Sequence, residues 1–153
     1  MEQLNKKILN VTQGLGLDVT IPNNCLATIE KLSDLLKGIC LDDLDLIKDS
    51  ICNVYITLVV GNELDSKVDL DKIYTIMREF RKVSKKPCES KLIIIEQIAK
   101  LVNFIVGVQN YKKLVASGII DVLLTVGDFY DIEILDCVRI KWLAPHSPSK
   151  QLH

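Results

Sequence analysis

Two helical rungs of oxygen-bearing side chains are the part of this chain best suited to chemistry. Glu30 and Asp34 stand four residues apart, and so do Asp49 and Asn53. On an α-helix that spacing stacks side chains on one face. If the two helices are adjacent and antiparallel, three carboxylates and one carboxamide converge. Such hard oxygen donors suit Mg²⁺, which takes few protein oxygens and completes its octahedron with phosphate oxygens. Glu30, Asp34, Asp49 and Asn53 are therefore the candidate metal ligands, and a nucleoside triphosphate is the matching substrate class.

The same pattern returns later with its chemistry altered. Ile29 to Leu36 recurs 66 residues on as Ile95 to Val102, and Asp49 to Thr57 recurs 68 residues on as Ser117 to Thr125. A weaker echo links Ile8, Val11 and Leu15 to Ile73, Ile76 and Phe80, 65 residues apart. Three segments recurring in one order indicate tandem duplication. The expected organisation is a first half at 1–68, a second at 69–144 sharing one core, and a disordered tail at 145–153. In the second copy Glu96 and Asp121 persist, while Gln97, Lys100 and Ser117 replace or accompany the acids.

The elements that position these residues read as helices. Seven are predicted, near 2–14, 23–39, 43–63, 69–84, 89–107, 111–130 and 132–143. Asn23 or Asn24 can cap the second, Asp42 or Asp43 the third and Asp69 the fourth. Pro22 and Pro87 fall in connections. Leu26, Ile29, Leu32, Leu36 and Ile39 predict one buried stripe, and Leu92, Ile95, Ile98, Val102 and Ile105 predict its copy. The pairs Ile29/Ile95, Leu35/Leu101, Val54/Val122 and Thr57/Thr125 are expected in the core. Val54 to Val60 is rich in β-branched residues, yet Asp49, Asn53 and Thr57 fall at i, i+4, i+8, which predicts a buried helix.

Composition narrows the class. The chain has 153 residues, enough to bury a core, with 48% hydrophobic residues, 5% aromatics, seven glycines and four prolines, which suits an all-α bundle. A net charge of −1 gives no overall electrostatic footprint for nucleic acid. The apolar stretches are too short to span a bilayer and no signal peptide opens the chain, so a soluble cytoplasmic protein without a membrane partner is expected. Five cysteines without a CxxC pair read as reduced core residues rather than a disulfide framework or a zinc site.

The first motif, Glu30-Lys-Leu-Ser-Asp34, and the second, Asp49-Ser-Ile-Cys-Asn53-Val-Tyr-Ile-Thr57-Leu58, resemble those of the MazG-like all-α NTP pyrophosphohydrolases, particularly phage-type members. The resemblance spans residues 1–84 and, more loosely, 69–143. It implies a bundle of two MazG-like halves, a pseudo-dimer in one chain, with Mg²⁺ held by Glu30, Asp34 and Asp49 and with cleavage between the α- and β-phosphates. It also implies a homo-oligomer, a dimer of tandem chains. Lys31 and Asn53 depart from the family, which has Glu and Asp there.

Those departures weaken a metal site, because an ammonium repels a dication and a carboxamide is neutral. They also suggest a different use of the cleft. Lys31 and Lys100 can neutralise phosphates directly, and Glu30 or Glu96 can accept hydrogen bonds from a base or ribose. Glu30, Lys31, Asp34, Glu96, Gln97, Lys100 and Asp121 are thus the candidate nucleotide-binding residues, with Lys112 and Lys113 as further phosphate contacts. Three functions stand: a nucleotide-binding protein that does not hydrolyse, such as a phage sponge for a nucleotide immune signal acting in the host cytoplasm without a required cofactor; an Mg²⁺-dependent pyrophosphohydrolase; and a helical interaction module with a vestigial site.

Overall fold

A computed structural model describes residues 1–15, 19–65, 67–84 and 90–146, and every regular element among them is helical. The order is α1 (Glu2–Gly14), α2 (Ile21–Leu41), α3 (Leu44–Leu64), α4 (Leu70–Ser84), α5 (Lys91–Val108), α6 (Lys113–Tyr130) and α7 (Ile134–Val138). Helix α7 runs on through a wider π-helical turn, Arg139–Leu143, into Ala144–His146, and the whole is called the C-terminal helix below. The all-α bundle expected from the sequence is what the chain forms. Val54 to Val60 lies inside α3, so burial explains its β-branched content.

Local chemistry sets the helix ends. Thr20, not Asn23 or Asn24, caps α2 through a 3.3 Å bond from the Asn23 amide. Pro22 then falls in the first turn of α2 rather than in the connection, where its missing N–H costs nothing. Asp42 closes α2 in the left-handed region at φ 52°, a conformation that Asp tolerates better than most residues. The next residue, Asp43, opens α3 by accepting the Leu46 amide at 3.1 Å. This two-residue link folds α2 and α3 into an antiparallel hairpin. Asp69 accepts the Lys72 amide at 3.1 Å, as expected. Pro87 and Cys88 lie outside the described residues.

The buried face of α2 consists of Asn24, Cys25, Thr28, Leu32, Leu35, Gly38 and Ile39. That of α5 consists of Ile94, Ile98, Leu101 and Ile105. The predicted stripes were therefore centred about one residue off: Leu26 and Leu92 are exposed, and Ile29, Leu36, Ile95 and Val102 only flank the core. The reason is that α2 packs against both α3 and α5, so its buried face lies between two partners. Apolar spacing alone leaves that centre undetermined. Each fully buried Leu or Ile contributes at most about 1.5–3 kcal/mol.

Burial repeats at the expected interval, since Leu32, Leu35 and Ile39 recur 66 residues on as Ile98, Leu101 and Ile105. In α1 and α4 the buried pairs are Leu4 with Ile8 and Leu70 with Tyr74, also 66 apart. The echo placing Ile8 opposite Ile73 was one residue short, and Ile76 and Phe80 are exposed. Helix pairing follows suit. Helix α1 packs on α3 as α4 packs on α6, α2 on α3 as α5 on α6, and the hairpins meet through α2 with α5 and α3 with α6. One hydrophobic cluster runs through both halves. Only the C-terminal helix, lying against α1, α3 and α6, has no counterpart among the described residues.

The tail differs from expectation at its start, because Pro145 and His146 continue the helix. The His146 ring stacks on Trp142 with centroids 4.7 Å apart, and its Nδ1 meets the Trp142 carbonyl at 2.6 Å. Residues 147–153 lie outside the described part. Of the cysteines, Cys25, Cys52 and Cys137 are buried and unbridged as expected, whereas Cys40 is exposed.

Candidate functional site

The α2–α3 hairpin carries the candidate residues along facing helix surfaces. Along α2 the positions Asn23, Asn24, Ala27, Glu30, Lys31 and Asp34 share a face at three- and four-residue steps, and along α3 so do Val60, Ile56, Thr57, Asn53 and Asp49. Because the helices are antiparallel, the α2 face ascends as the α3 face descends. One end of the groove is apolar and the other is charged.

At the apolar end, α1 covers the hairpin and leaves an open cavity of about 440 Å³ lined by Leu9, Thr12, Ala27, Ile56 and Val60, with Asn23, Asn24 and Gln13 at its polar points. Its floor is rigid. The Asn24 carboxamide donates to the Thr57 carbonyl and to the Tyr111 hydroxyl, both at 2.7 Å, and the Thr28 hydroxyl lies 2.6 Å from that same phenol oxygen. Burial pushes the Tyr111 hydroxyl pKa up, so it stays a neutral partner. Its ring is fully buried against Gly61, where a side chain would collide with it.

At the charged end, Lys31 Nζ lies 3.8 Å from Glu30 and 3.9 Å from Asp34. The predicted rung thus exists, but with its cation already between the two acids. Glu30 is exposed and Lys31 and Asp34 are partly exposed, so the pairing is worth little energetically. Asn53 is half-buried, and no described residue engages its carboxamide.

Asp49 is not free to join them. Lys141, from the C-terminal helix, reaches across to bond Asp49 at 3.0 Å and lies 3.8 Å from Asp45. The hydrogen bond to Asp49 is the main cause that raises the Lys141 pKa. Among the described residues, no group of three or more His, Cys, Asp or Glu side chains gathers at metal-binding separation. The donor set as it stands, one acid neutralised by Lys141 and two by Lys31, does not fit a divalent cation.

In the second half the corresponding groove is closed by a residue that the spacing analysis missed. Gln97 donates to Asp121 Oδ2 at 2.7 Å, joining α5 to α6, so these two predicted residues do meet. Arg81, near the end of α4, then inserts its guanidinium against Asp121. It bonds the Asp121 carboxylate, the Asp121 carbonyl at 3.1 Å and the Thr125 hydroxyl at 2.8 Å, and it pairs with Asp128 at 3.4 Å. Glu96 and Lys100 instead pair with each other at 3.1 Å on an exposed face. Lys112 and Lys113 are exposed at the start of α6.

The sequence places Arg81 in the last turn of the 69–84 helix, but only the packing of α4 on α6 brings it to Asp121. Nothing in spacing pointed to Lys141, which is 92 residues from Asp49. No family model, curated protein or solved structure matches this chain. Among the described residues no helix is long and apolar enough to cross a membrane.

Proposed function

We propose that the chain is a nucleotide-binding protein of MazG-like architecture that holds its ligand in the first half-site and does not hydrolyse it. The observation that carries this reading is an apolar cavity with carboxamides and Glu63 at its edge, followed along the same helix faces by Lys31 and by Asn53, whose carboxamide no described residue engages. An apolar slot with a few polar points suits a nucleobase, and a loosely held ammonium one turn further suits a phosphate. The matching helix pairings of the halves support the pseudo-dimer. The second half-site is filled by Arg81, so one nucleotide per chain is expected.

Thermal-shift and calorimetric titration with linear, cyclic and ADP-ribose-type nucleotides, without Mg²⁺, test the proposal. A native-state ligand must raise the melting temperature. Lys31→Glu should abolish that shift while Lys100→Glu leaves it intact. If no nucleotide stabilises the chain at millimolar concentration, the proposal fails.

The competing outcome is an Mg²⁺-dependent pyrophosphohydrolase, which the pairing of Lys31 with Glu30 and Asp34 disfavours. Release of monophosphate and pyrophosphate that Asp34→Ala abolishes would establish it instead. Assembly of two chains belongs to the same family reading. Ile76, Phe80 and Val83 form an exposed stripe at i, i+4, i+7 on α4, the face such assembly would use. Light scattering reads the outcome.

A further inference from the structure

Cys52 on α3 and Cys137 on α7 bring their sulfurs to 3.7 Å, although 85 residues separate them in the chain. Either sulfur can donate in this contact. Cys52 Sγ is also 3.5 Å from the Cys137 carbonyl oxygen, and Cys137 Sγ is 3.7 Å from the Lys48 carbonyl. Both residues are buried, so the surrounding core fixes their approach. Bond formation requires the sulfurs to close from 3.7 Å to about 2.05 Å.

The surroundings also divide the labour between the two thiols. The Cys137 pKa is lowered, first by the hydrogen bond from Cys52 and then by the charges of Lys141 and Lys48. That of Cys52 is raised by the same bond and by burial. Cys137 is therefore the more acidic thiol of the two and Cys52 the one that holds its proton more tightly.

We propose that Cys52 and Cys137 form a redox pair that a peroxide-class oxidant converts to a disulfide, pinning the C-terminal helix onto α3. The Cys137 thiolate attacks one peroxide oxygen, the O–O bond breaks, and the leaving hydroxide takes a proton to become water. Cys137 is then a sulfenic acid. The Cys52 sulfur attacks it, losing its proton to the departing hydroxide, and a second water leaves. Two thiols are oxidised by two electrons, and one peroxide is reduced to two waters.

The position gives the link a consequence. Cys52 lies beside Asn53 and Cys137 stands one turn before Lys141, so the disulfide holds Lys141 on Asp49. In the reduced chain the C-terminal helix is held at this point by packing and a partly exposed ion pair. Resting on the nucleotide-binding reading, oxidation would hold the charged end of the groove in the arrangement seen here, with Asp49 engaged by Lys141. The pairing of the thiols is independent of that reading.

The test treats the reduced full-length chain with stoichiometric hydrogen peroxide, then maps disulfides by mass spectrometry after digestion at low pH. The expected result is a Cys52–Cys137 cross-linked peptide, an intact mass lower by two hydrogens, and stronger hydrogen-exchange protection across residues 138–143. Closing an 85-residue loop should also raise Tm by about 10 °C. Linkage through Cys25, Cys40 or Cys88 with Cys52 and Cys137 still alkylatable would overturn the proposal, as would a mapped link that leaves exchange unchanged. Cys52→Ser and Cys137→Ser, tested separately, should each abolish both the mass loss and the Tm gain. Nucleotide titration of both redox forms reports on the groove separately, since the cross-link can form whether or not nucleotide binds.

Discussion

Lys141 holds Asp49 at 3.0 Å from the opposite end of the chain. The contact joins the C-terminal helix, whose packing has no counterpart among the described residues, to the acidic rung on α3. It removes Asp49 from any shared site and fixes the far end of the groove.

Reversing the charge tests that contact. Lys141→Glu sets a carboxylate against Asp45 and Asp49, and the partly exposed setting limits the cost to about 0.5–1.5 kcal/mol. Amide exchange in the C-terminal helix should accelerate. Urea titrations at low and high salt decide the matter, because a loss that salt does not reduce is not electrostatic.

Arg81 stands as the resident cation of the second half-site. Arg81→Met keeps the stem but removes bonds to Asp121, Thr125 and Asp128, and should cost about 1–2 kcal/mol. A double-mutant cycle with Asp121→Asn should return a coupling of about 1 kcal/mol. Strictly additive losses would show that the guanidinium contributes only packing.

Gly61→Ala places a methyl group inside the Tyr111 ring. The ring has little room to retreat, since its hydroxyl is held by Asn24 at 2.7 Å and by Thr28 at 2.6 Å. Overpacking of about 1–3 kcal/mol should exceed the helix-propensity gain of about 1 kcal/mol. A variant more stable than the parent in chemical denaturation would contradict this packing.

Burial raises the pKa of all four tyrosines, bringing Tyr74 and Tyr130 up to about 12. In the unfolded chain a tyrosine releases its proton near pH 10. Above that pH the unfolded state binds fewer protons than the folded one, so stability falls as pH rises and is fully present below it. Urea midpoints measured from pH 8 to about pH 11.5 should be flat at first and then decline, and Tyr111→Phe should make the decline shallower.

Much of the fold was legible because its determinants are local. Helix ends follow from Asp43 and Asp69 caps, and the Val54 to Val60 segment declares itself helical through Asp49, Asn53 and Thr57. The Glu30–Lys31–Asp34 cluster was equally legible, since all three occupy one turn. Thr20 was overlooked because two asparagines downstream offered the same chemistry. The centre of each buried face also escaped, since apolar residues outnumber the positions that two packing partners can cover.

What the sequence determined by itself is the set of helices, their repeated order and the rungs within each, because helix geometry places residues four apart on one face without reference to anything distant. Tertiary structure alone decided which charge meets which. Arg81 reaches Asp121 across 40 residues and Lys141 reaches Asp49 across 92, through helix packing that the repeat foreshadows in one case and leaves unannounced in the other.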